Sequence, residues 1–364
     1  MAFTEIYVGP TGSVVNDGSS EANAMDFTNA ILSMDSLPSI RLNIKVGTYT
    51  GLNRQAILTG GANTTPIAWR GYRTTPGDGY LGRDSSGNLI TTNMPLLIYT
   101  SGQLTDVQAN DLGFGQIENI YFQVSKSGSV TAPITAAAST SLINCKIENM
   151  SVGTGNLTAQ LSSNSNMINC DISVPNAGSG AVALRMVGGR AIGCKMSTLY
   201  GSGVAVRISG TVGGALVSDC VLFNNLIGIE LVHTTGNITP SIVNNTIYNC
   251  SGAAIQTPST VYNTNTTIVN NHITDNGRFL NQQTLVNNCI VGNRTRDNTN
   301  TNTNQGDYGI FLAVTGDSGT VTSDFTKTDN SFILKDNAYG RRTSFLQNRD
   351  IGGKQGYDSY GFAG

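Results

Sequence analysis

Leu142-Ile-Asn-Cys-Lys-Ile147, Met167-Ile-Asn-Cys-Asp-Ile172 and Ala191-Ile-Gly-Cys-Lys-Met196 are three versions of one six-residue block. Ile117-Glu-Asn-Ile-Tyr-Phe122 precedes them, and Val217-Ser-Asp-Cys-Val-Leu222, Ile242-Val-Asn-Asn-Thr-Ile247 and Ile268-Val-Asn-Asn-His-Ile273 follow. Their starting positions differ by 25, 25, 24, 26, 25 and 26 residues. A fixed period of this size marks a solenoid, where each repeat buries its apolar face only by stacking on the next. The blocks are too short for helix-length stripes, and their β-branched, alternating make-up suits strands of about four to six residues. Three such strands joined by Gly/Asn turns fill one coil. Successive coils then stack as parallel, in-register strands ~4.8 Å apart. The fold this predicts is all-β: a right-handed, single-stranded parallel β-helix of about 25 residues per coil with an N-terminal helical cap.

A second series keeps the same register. Gln160, Arg185, Arg207, Glu230 and Gln256 each follow a small or apolar run. Leu184, Val206, Ile229 and Ile255 alternate with them and are expected to point inward, which puts the polar series on an outer face.

Cys145, Cys170, Cys194 and Cys220 hold one place in four consecutive blocks, and Asn245 and Asn271 hold it in the next two. The six form a predicted inward ladder, with the thiols acting as small hydrophobes. The asparagines continue it as amides bonded to their neighbours above and below. A metal site or disulfide framework is the rival reading. No Cys-x-x-Cys spacing exists, however, and the histidines are His233 and His272, so neither metal nor cofactor is expected. Buried, reduced thiols agree with synthesis in a cytoplasm.

Charged residues are 12% of the 364, against about 25% in an average soluble domain. The net charge of -2 gives no reason to expect nucleic acid or an anionic membrane as partner. No apolar run approaches the ~18–20 residues that cross a bilayer. Residues Met1 to Asn16 lack the basic start and apolar run of a secretory signal. Exposure outside a cell would then come through lysis, a fusion partner or assembly into a particle.

The divisions expected are a cap over 1–38, the β-helix over 39–292, a polar loop over 293–307 and a C-terminal segment over 308–364. The cap holds an amphipathic helix over 21–34, with Met25, Phe27, Ile31 and Met34 as its apolar stripe. Strands are expected at Ile40–Thr50, Pro66–Tyr72 and Pro95–Tyr99, and the register is expected to end after Cys289. The last segment carries Gly309-Ile-Phe-Leu-Ala-Val314 and Arg341-Arg342; it caps the final coil or reaches a neighbouring subunit.

Carbohydrate chemistry on a solenoid face needs either two or three carboxylates about 5–10 Å apart, or a carboxylate set for Ca²⁺ with a Lys or Arg base. Glu148 follows Ile147 and Asp171 precedes Ile172, so these two are expected to face different directions. Asp219 stands alone and Asp275 sits in a turn. Arg185, Arg207 and Glu230 remain as the weak catalytic candidates, with Arg207 as a lyase base. The plainer reading is a solvated ladder with an Arg207–Glu230 pair worth under about 1 kcal/mol, so no catalytic residue is assigned. Trp69 reads as core or cap packing, and His272, aligned with Thr246, as outward. Tyr72, Tyr80 and Tyr99 read as strand packing, with a sugar-stacking patch as the alternative.

Tyr7-Val-Gly-Pro-Thr-Gly with Asn16-Asp-Gly-Ser-Ser, then a helix, then Val46-Gly-Thr-Tyr-Thr, resembles the opening of pectin-lyase-like right-handed β-helix proteins. Asp350-Ile-Gly-Gly resembles the Asp-Ile-Gly-Ala ending of many of them. Thr65-Pro-Ile-Ala-Trp-Arg-Gly-Tyr and Pro76-Gly-Asp-Gly look similar to phage-encoded members. These motifs mark the scaffold and not an activity. What the resemblance implies is a bacteriophage virion surface protein, synthesised in the host cytoplasm and homotrimeric, contacting the major capsid protein or other virion proteins. A cap that begins almost at Met1 favours capsid decoration over a tail spike, which usually carries a particle-binding domain ahead of its β-helix. The alternative is a tailspike-type or secreted-type polysaccharide depolymerase or lyase acting on a host-surface glycan. A glycan-binding adhesin without turnover lies between the two.

Overall fold

A computed structural model of the chain describes residues 3–33, 39–52, 67–100, 115–125, 131–136, 140–176, 178–199, 201–209, 214–232, 239–256, 266–274, 276, 280–281, 289–296 and 310–313. Two compact units are present, Met1–Ser209 and Gly210–Gly364. Each is a parallel β-solenoid.

In the first unit three ladders of strands run side by side. The first starts at Thr4–Ser13 and steps in parallel through Ile40–Lys45, Ile67–Tyr72, Gly115–Glu118, Thr140–Ile143, Asn166–Ile168 and Gly189–Ile192. Its inward column is Ile6, Leu42, Trp69, Ile117, Leu142, Met167 and Ala191, none more than 4% exposed. The second ladder runs from Thr48–Leu52 through Leu96–Tyr99, Tyr121–Val124, Lys146–Asn149 and Asp171–Val174 to Lys195–Thr198. Here Leu97, Phe122, Ile147, Ile172 and Met196 point in. The third joins Thr131–Ala136, Leu157–Leu161, Ala181–Met186 and Gly203–Ser209. A fully buried Leu, Ile, Met or Phe side chain contributes roughly 1.5–3 kcal/mol, and most rungs of the first two columns hold one.

The repeating block is a corner and not one strand. Leu142–Ile143 ends one strand and Lys146–Ile147 begins the next, with Asn144 between them at φ 54. Asn119 and Asn169 sit likewise at φ 61 and 53, and Gly193 at φ 64. Asn and Gly tolerate this left-handed conformation, which larger side chains resist. The bend resets the alternation, so Leu142, Cys145 and Ile147 all face the interior. The corner amides also bond along the solenoid: Asn144 Nδ2 donates to Asn119 Oδ1 at 3.1 Å and Asn169 Nδ2 to Asn144 Oδ1 at 2.7 Å.

Cys145, Cys170, Cys194, Cys220, Asn245 and Asn271 are all buried, none above 1% exposed. In the first unit Cys145 Sγ donates to Ile117 O at 3.6 Å, Cys170 Sγ to Leu142 O at 3.5 Å and Cys194 Sγ to Met167 O at 3.4 Å. In the second, Asn245 Nδ2 donates to Val217 O at 2.9 Å and Asn271 Nδ2 to Ile242 O at 3.0 Å. Thiol and amide therefore do one job, satisfying the carbonyl of the block's first residue one coil back. Asparagine is the stronger acceptor: Oδ1 of Asn245 takes the Cys220 N–H and Oδ1 of Asn271 the Asn245 N–H, both at 2.9 Å, where Cys170 Sγ takes the Cys145 N–H at 3.4 Å. Cys145, Cys170, Cys194, Cys220 and Cys250 carry free thiols, and burial pushes the Cys170 thiol well above its ordinary pKa.

The second unit repeats the plan from Ala215–Ser218 through Ser241–Val243 and Thr267–Val269. Val221–Val232 and Thr246–Gln256 each run as one long strand through the next corner. Asn225, Cys250 and Asn276 make a further buried ladder there, with Oδ1 of Asn276 accepting the Cys250 N–H at 2.9 Å. The parallel register does not end after Cys289. Ile290 pairs with Ile268, and Thr295 with Ile273, so the strand Cys289–Arg296 belongs to one more coil. Ile310–Ala313 then lies antiparallel on that strand, covering its edge.

The single helix expected over 21–34 is broken. Ser20 caps a 3₁₀ turn over Glu21–Asn23, Ala24 is extended, and an α-helix covers Phe27–Ser33. Met25 bridges to Val8 and Ser13, and the Tyr7 N–H donates to Gly18 O at 2.9 Å. Covering the free edge of the first strand takes precedence over helix propensity. Gly12 is required for it, since a Cβ there would lie 1.9 Å from Met25 O. Phe27 and Ile31 are buried as expected, with Phe27 edge-on to Trp69 at 5.6 Å; Met34 lies outside the described residues.

Candidate functional site

The outer face of the second ladder carries a cluster of charged residues in consecutive coils. Tyr121, Lys146, Asp171 and Lys195 form one column in consecutive coils, and Gln123, Glu148, Ser173 and Ser197 form the next. Glu148 and Asp171 share this face, against expectation. Ile147 and Ile172 are inward partners, and in a strand both neighbours of an inward residue point outward. One residue after and one residue before are therefore the same side.

Glu148 is bound on both oxygens. Oε2 accepts from Tyr121 Oη at 3.1 Å and from Gln123 Nε2 at 3.2 Å, while Oε1 meets Lys146 Nζ at 3.2 Å. Lys146 Nζ also lies 4.6 Å above the Tyr121 ring. Burial works against ionisation of Glu148, but Lys146, Gln123 and Tyr121 outweigh it and hold its pKa below the ordinary value. Burial likewise disfavours the Lys146 cation, and Glu148 with Tyr121 outweighs that, so its pKa rises. Burial, aided by Glu148, raises the Tyr121 phenol.

Asp171 is covered by a strap, residues 73–94, that leaves the solenoid after Tyr72. Arg83 Nη1 meets Asp171 Oδ1 at 2.6 Å, and the Leu89 N–H donates to Oδ2 at 2.7 Å. Arg83 Nε donates to Asn169 Oδ1 at 2.9 Å, and Lys195 Nζ donates to Ser86 O at 2.6 Å and Asn88 Oδ1 at 2.8 Å. Nothing in the sequence outside Pro76-Gly-Asp-Gly marked this strap, because the partners of Arg83 and Leu89 on the coils lie 82 to 110 positions away.

Arg185 and Arg207 stand side by side in register on the outer side of the third ladder, beyond Gln160. Arg185 Nε donates to Ser209 Oγ at 2.9 Å. Glu230 belongs to the other unit, where it is in register with Gln256 and accepts from its Nε2 at 3.4 Å. Tyr72 and Tyr99 are buried and Tyr80 is 40% exposed on the strap, so the three form no sugar-stacking face. Trp69 is 1% exposed. His272 is exposed, in register with Thr246, and Asp219 is a corner residue at φ 56. His233, Asp275 and Arg341-Arg342 lie outside the described residues. Phe223 and Tyr248 stack on the second unit's outer face at 5.5 Å; facing each other along the solenoid, they cover one another's ring faces. Among the described residues no group of three or more His, Cys, Asp or Glu is placed to hold a metal ion. No helix among them is long and apolar enough to cross a membrane.

No family model matches the chain, and no curated protein matches it in sequence. Among solved structures it is similar to pectate lyase Pel9A, at 12% identity and TM-score 0.44, over 84% of this chain and 79% of that one. It is also similar to a GH136 lacto-N-biosidase from Eubacterium ramulus, at 11% identity and TM-score 0.34, over 81% of this chain and 67% of that one. The parallel β-helix itself stands on the strand registers of this chain.

Proposed function

We propose that this chain is a structural, non-enzymatic protein of a bacteriophage particle, mounted on the virion surface as a capsid decoration protein. One observation supports this reading above the others: the outward carboxylates that share a face are spent on the scaffold. Asp171 is engaged on both oxygens by the strap, and Glu148 on both by Tyr121, Gln123 and Lys146. A general acid or base has to reach a substrate atom at about 2.6–3.2 Å, and these carboxylates hold protein donors at that range instead. The partners proposed are the major capsid protein or other virion proteins, with the chain acting as a homotrimer made in the host cytoplasm. Quantitative mass spectrometry of purified particles tests this. Hundreds of copies per particle support decoration, a few trimers shift the assignment to a tail spike, and absence from particles overturns the virion reading.

A polysaccharide depolymerase or lyase is the second reading. It is favoured by the Tyr121–Lys146–Glu148 set, where an aromatic ring, a cation and a carboxylate meet on an outer face. Turnover of a bacterial surface polysaccharide that disappears in Glu148→Gln, Glu230→Gln or Arg207→Ala would establish it.

A further inference from the structure

The strap is a small hairpin that carries its own hydrogen bonds. Arg83 and Leu89 bridge antiparallel. The Asp84 N–H donates to Asn88 O at 2.8 Å, the Gly87 N–H to Asp84 O at 2.9 Å and the Ile90 N–H to Gly82 O at 3.1 Å. Asp84 Oδ1 takes the Ser86 and Asn88 N–H groups at 2.8 and 2.9 Å. At its base Asp78 gathers the Arg73, Thr74 and Thr75 N–H groups, between Gly77 at φ 104 and Gly79.

Docking to the coils uses a different and shorter set of bonds. Asp171 supplies two, to Arg83 and the Leu89 N–H; Asn169 supplies two, to Arg83 Nε and Tyr80 Oη; Lys195 supplies two, to Ser86 O and Asn88 Oδ1. Arg83 reaches one further acceptor, Gly193 O, at 3.3 Å. Leu89, 5% exposed, is the apolar plug beneath the hairpin. A hairpin that keeps its internal bonds when it lifts loses only the docking set, so the strap can open while the ladders beneath stay closed.

We propose that residues 79–92 form a hinged cover latched at Asp171, which opens as a body and uncovers Asp171 and Lys195 beside the Lys146–Glu148 pair. Asp171 is the pivot of the latch, since Arg83 and Leu89 both bind it and lie across the hairpin from one another. This holds whichever partner the protein has. Opening frees the Asp171 carboxylate and the Lys195 ammonium for a ligand, beside a Lys146–Glu148 pair that stays closed on itself.

The test uses the full chain, with two readouts: hydrogen exchange at Leu89, and the acetylation rate of Lys195 by an N-hydroxysuccinimide ester, both read by mass spectrometry. Asp171→Asn keeps the side chain's shape and removes the charge that holds Arg83. Loss of a charge-assisted bond predicts a rise of at least about tenfold in both rates, with exchange at Ile147 and Ile172 unchanged. Arg83→Ala, altered on the strap and not on the coil, is expected to do the same, and Arg185→Ala to do neither. If exchange in the coils rises together with the strap, the hairpin is a fixed layer of the fold and the proposal fails. It fails equally if neither variant moves Lys195 labelling, or if only one does.

Discussion

Replacing Asn271 by alanine is expected to cost several times more than replacing Cys170, although both occupy the same inward position. Asn271 Oδ1 accepts the Asn245 N–H at 2.9 Å and Asn245 Nδ2 at 3.0 Å, and its own Nδ2 donates to Ile242 O at 3.0 Å. Alanine strips a buried partner from each of those three groups. Asn245 Nδ2 keeps its second bond, to Val217 O at 2.9 Å, so not every group is fully orphaned. At about 1–3 kcal/mol for each buried group left unmade, less whatever a water entering the vacated space restores, the loss is roughly 3–6 kcal/mol. Cys170→Ala removes a weak donor to Leu142 O, a weak acceptor of the Cys145 N–H at 3.4 Å and a small volume, about 1–2 kcal/mol. The assay is urea unfolding followed by hydrogen exchange on peptides from each unit, so that each substitution is read where it acts. Asn271→Cys restores the donor to Ile242 O and replaces the amide oxygen by a weaker sulfur acceptor, as Cys170 is for the Cys145 N–H, and is expected to fall between the two. If Asn271→Ala and Cys170→Ala agree within about 1 kcal/mol, the ladder is held by packing alone and the hydrogen-bond account is wrong.

Glu148 is held below its ordinary pKa of 4.5, so the stability it confers is present above that value and lost as pH falls through the lower folded one. Glu148→Gln should therefore flatten the acid limb of a stability–pH curve, and an unchanged limb would refute the role assigned to its three partners. Phe27→Ala removes the ring lying edge-on to Trp69, so the chain's one tryptophan should shift its emission to the red while the coil strands keep their exchange protection. An unshifted spectrum would show that the helix does not seal Trp69. Asn144→Ala places an ordinary side chain at φ 54 and breaks the corner amide chain. A cost of about 1–2 kcal/mol follows from the left-handed backbone alone, with Asn144→Gly recovering that part; equal losses in thermal melts would contradict it.

The solenoid was legible because one block recurs at nearly constant spacing, and the inward columns follow from it residue by residue. The corner was not, because apolar residues at 142, 145 and 147 fit neither a pure strand nor a helix until the left-handed Asn144 is known. Glu148 and Asp171 share a face because each neighbours an inward isoleucine, a parity that their unequal offsets within the block conceal. Ile290-Val-Gly-Asn-Arg-Thr295 is an eighth block, hidden because it begins 22 residues after Ile268 and carries threonine in the last place. The ladder's location was readable from the aligned cysteines, but its chemistry was not. Only when Cys145 and Asn245 are seen bonding equivalent carbonyls does the exchange of thiol for amide make sense as donor for donor. The strap had no local signature, since Asp171 looks like any outward carboxylate until a loop from 82 residues earlier is found upon it.

That equivalent carbonyl bond has a bearing on how such a chain can lengthen. The side chains of Cys170, Cys194, Asn245 and Asn271 each reach back to the carbonyl that opens the preceding block. A coil copied whole arrives with its own donor and offers its own acceptor, so every junction it creates is already one the molecule knows how to make. A single inserted residue within a block instead turns the corner asparagine out of place and reverses inside and outside for the strand that follows. Genetic change in this scaffold should accumulate in units of a full turn, with smaller insertions confined to loops such as the one that became the strap.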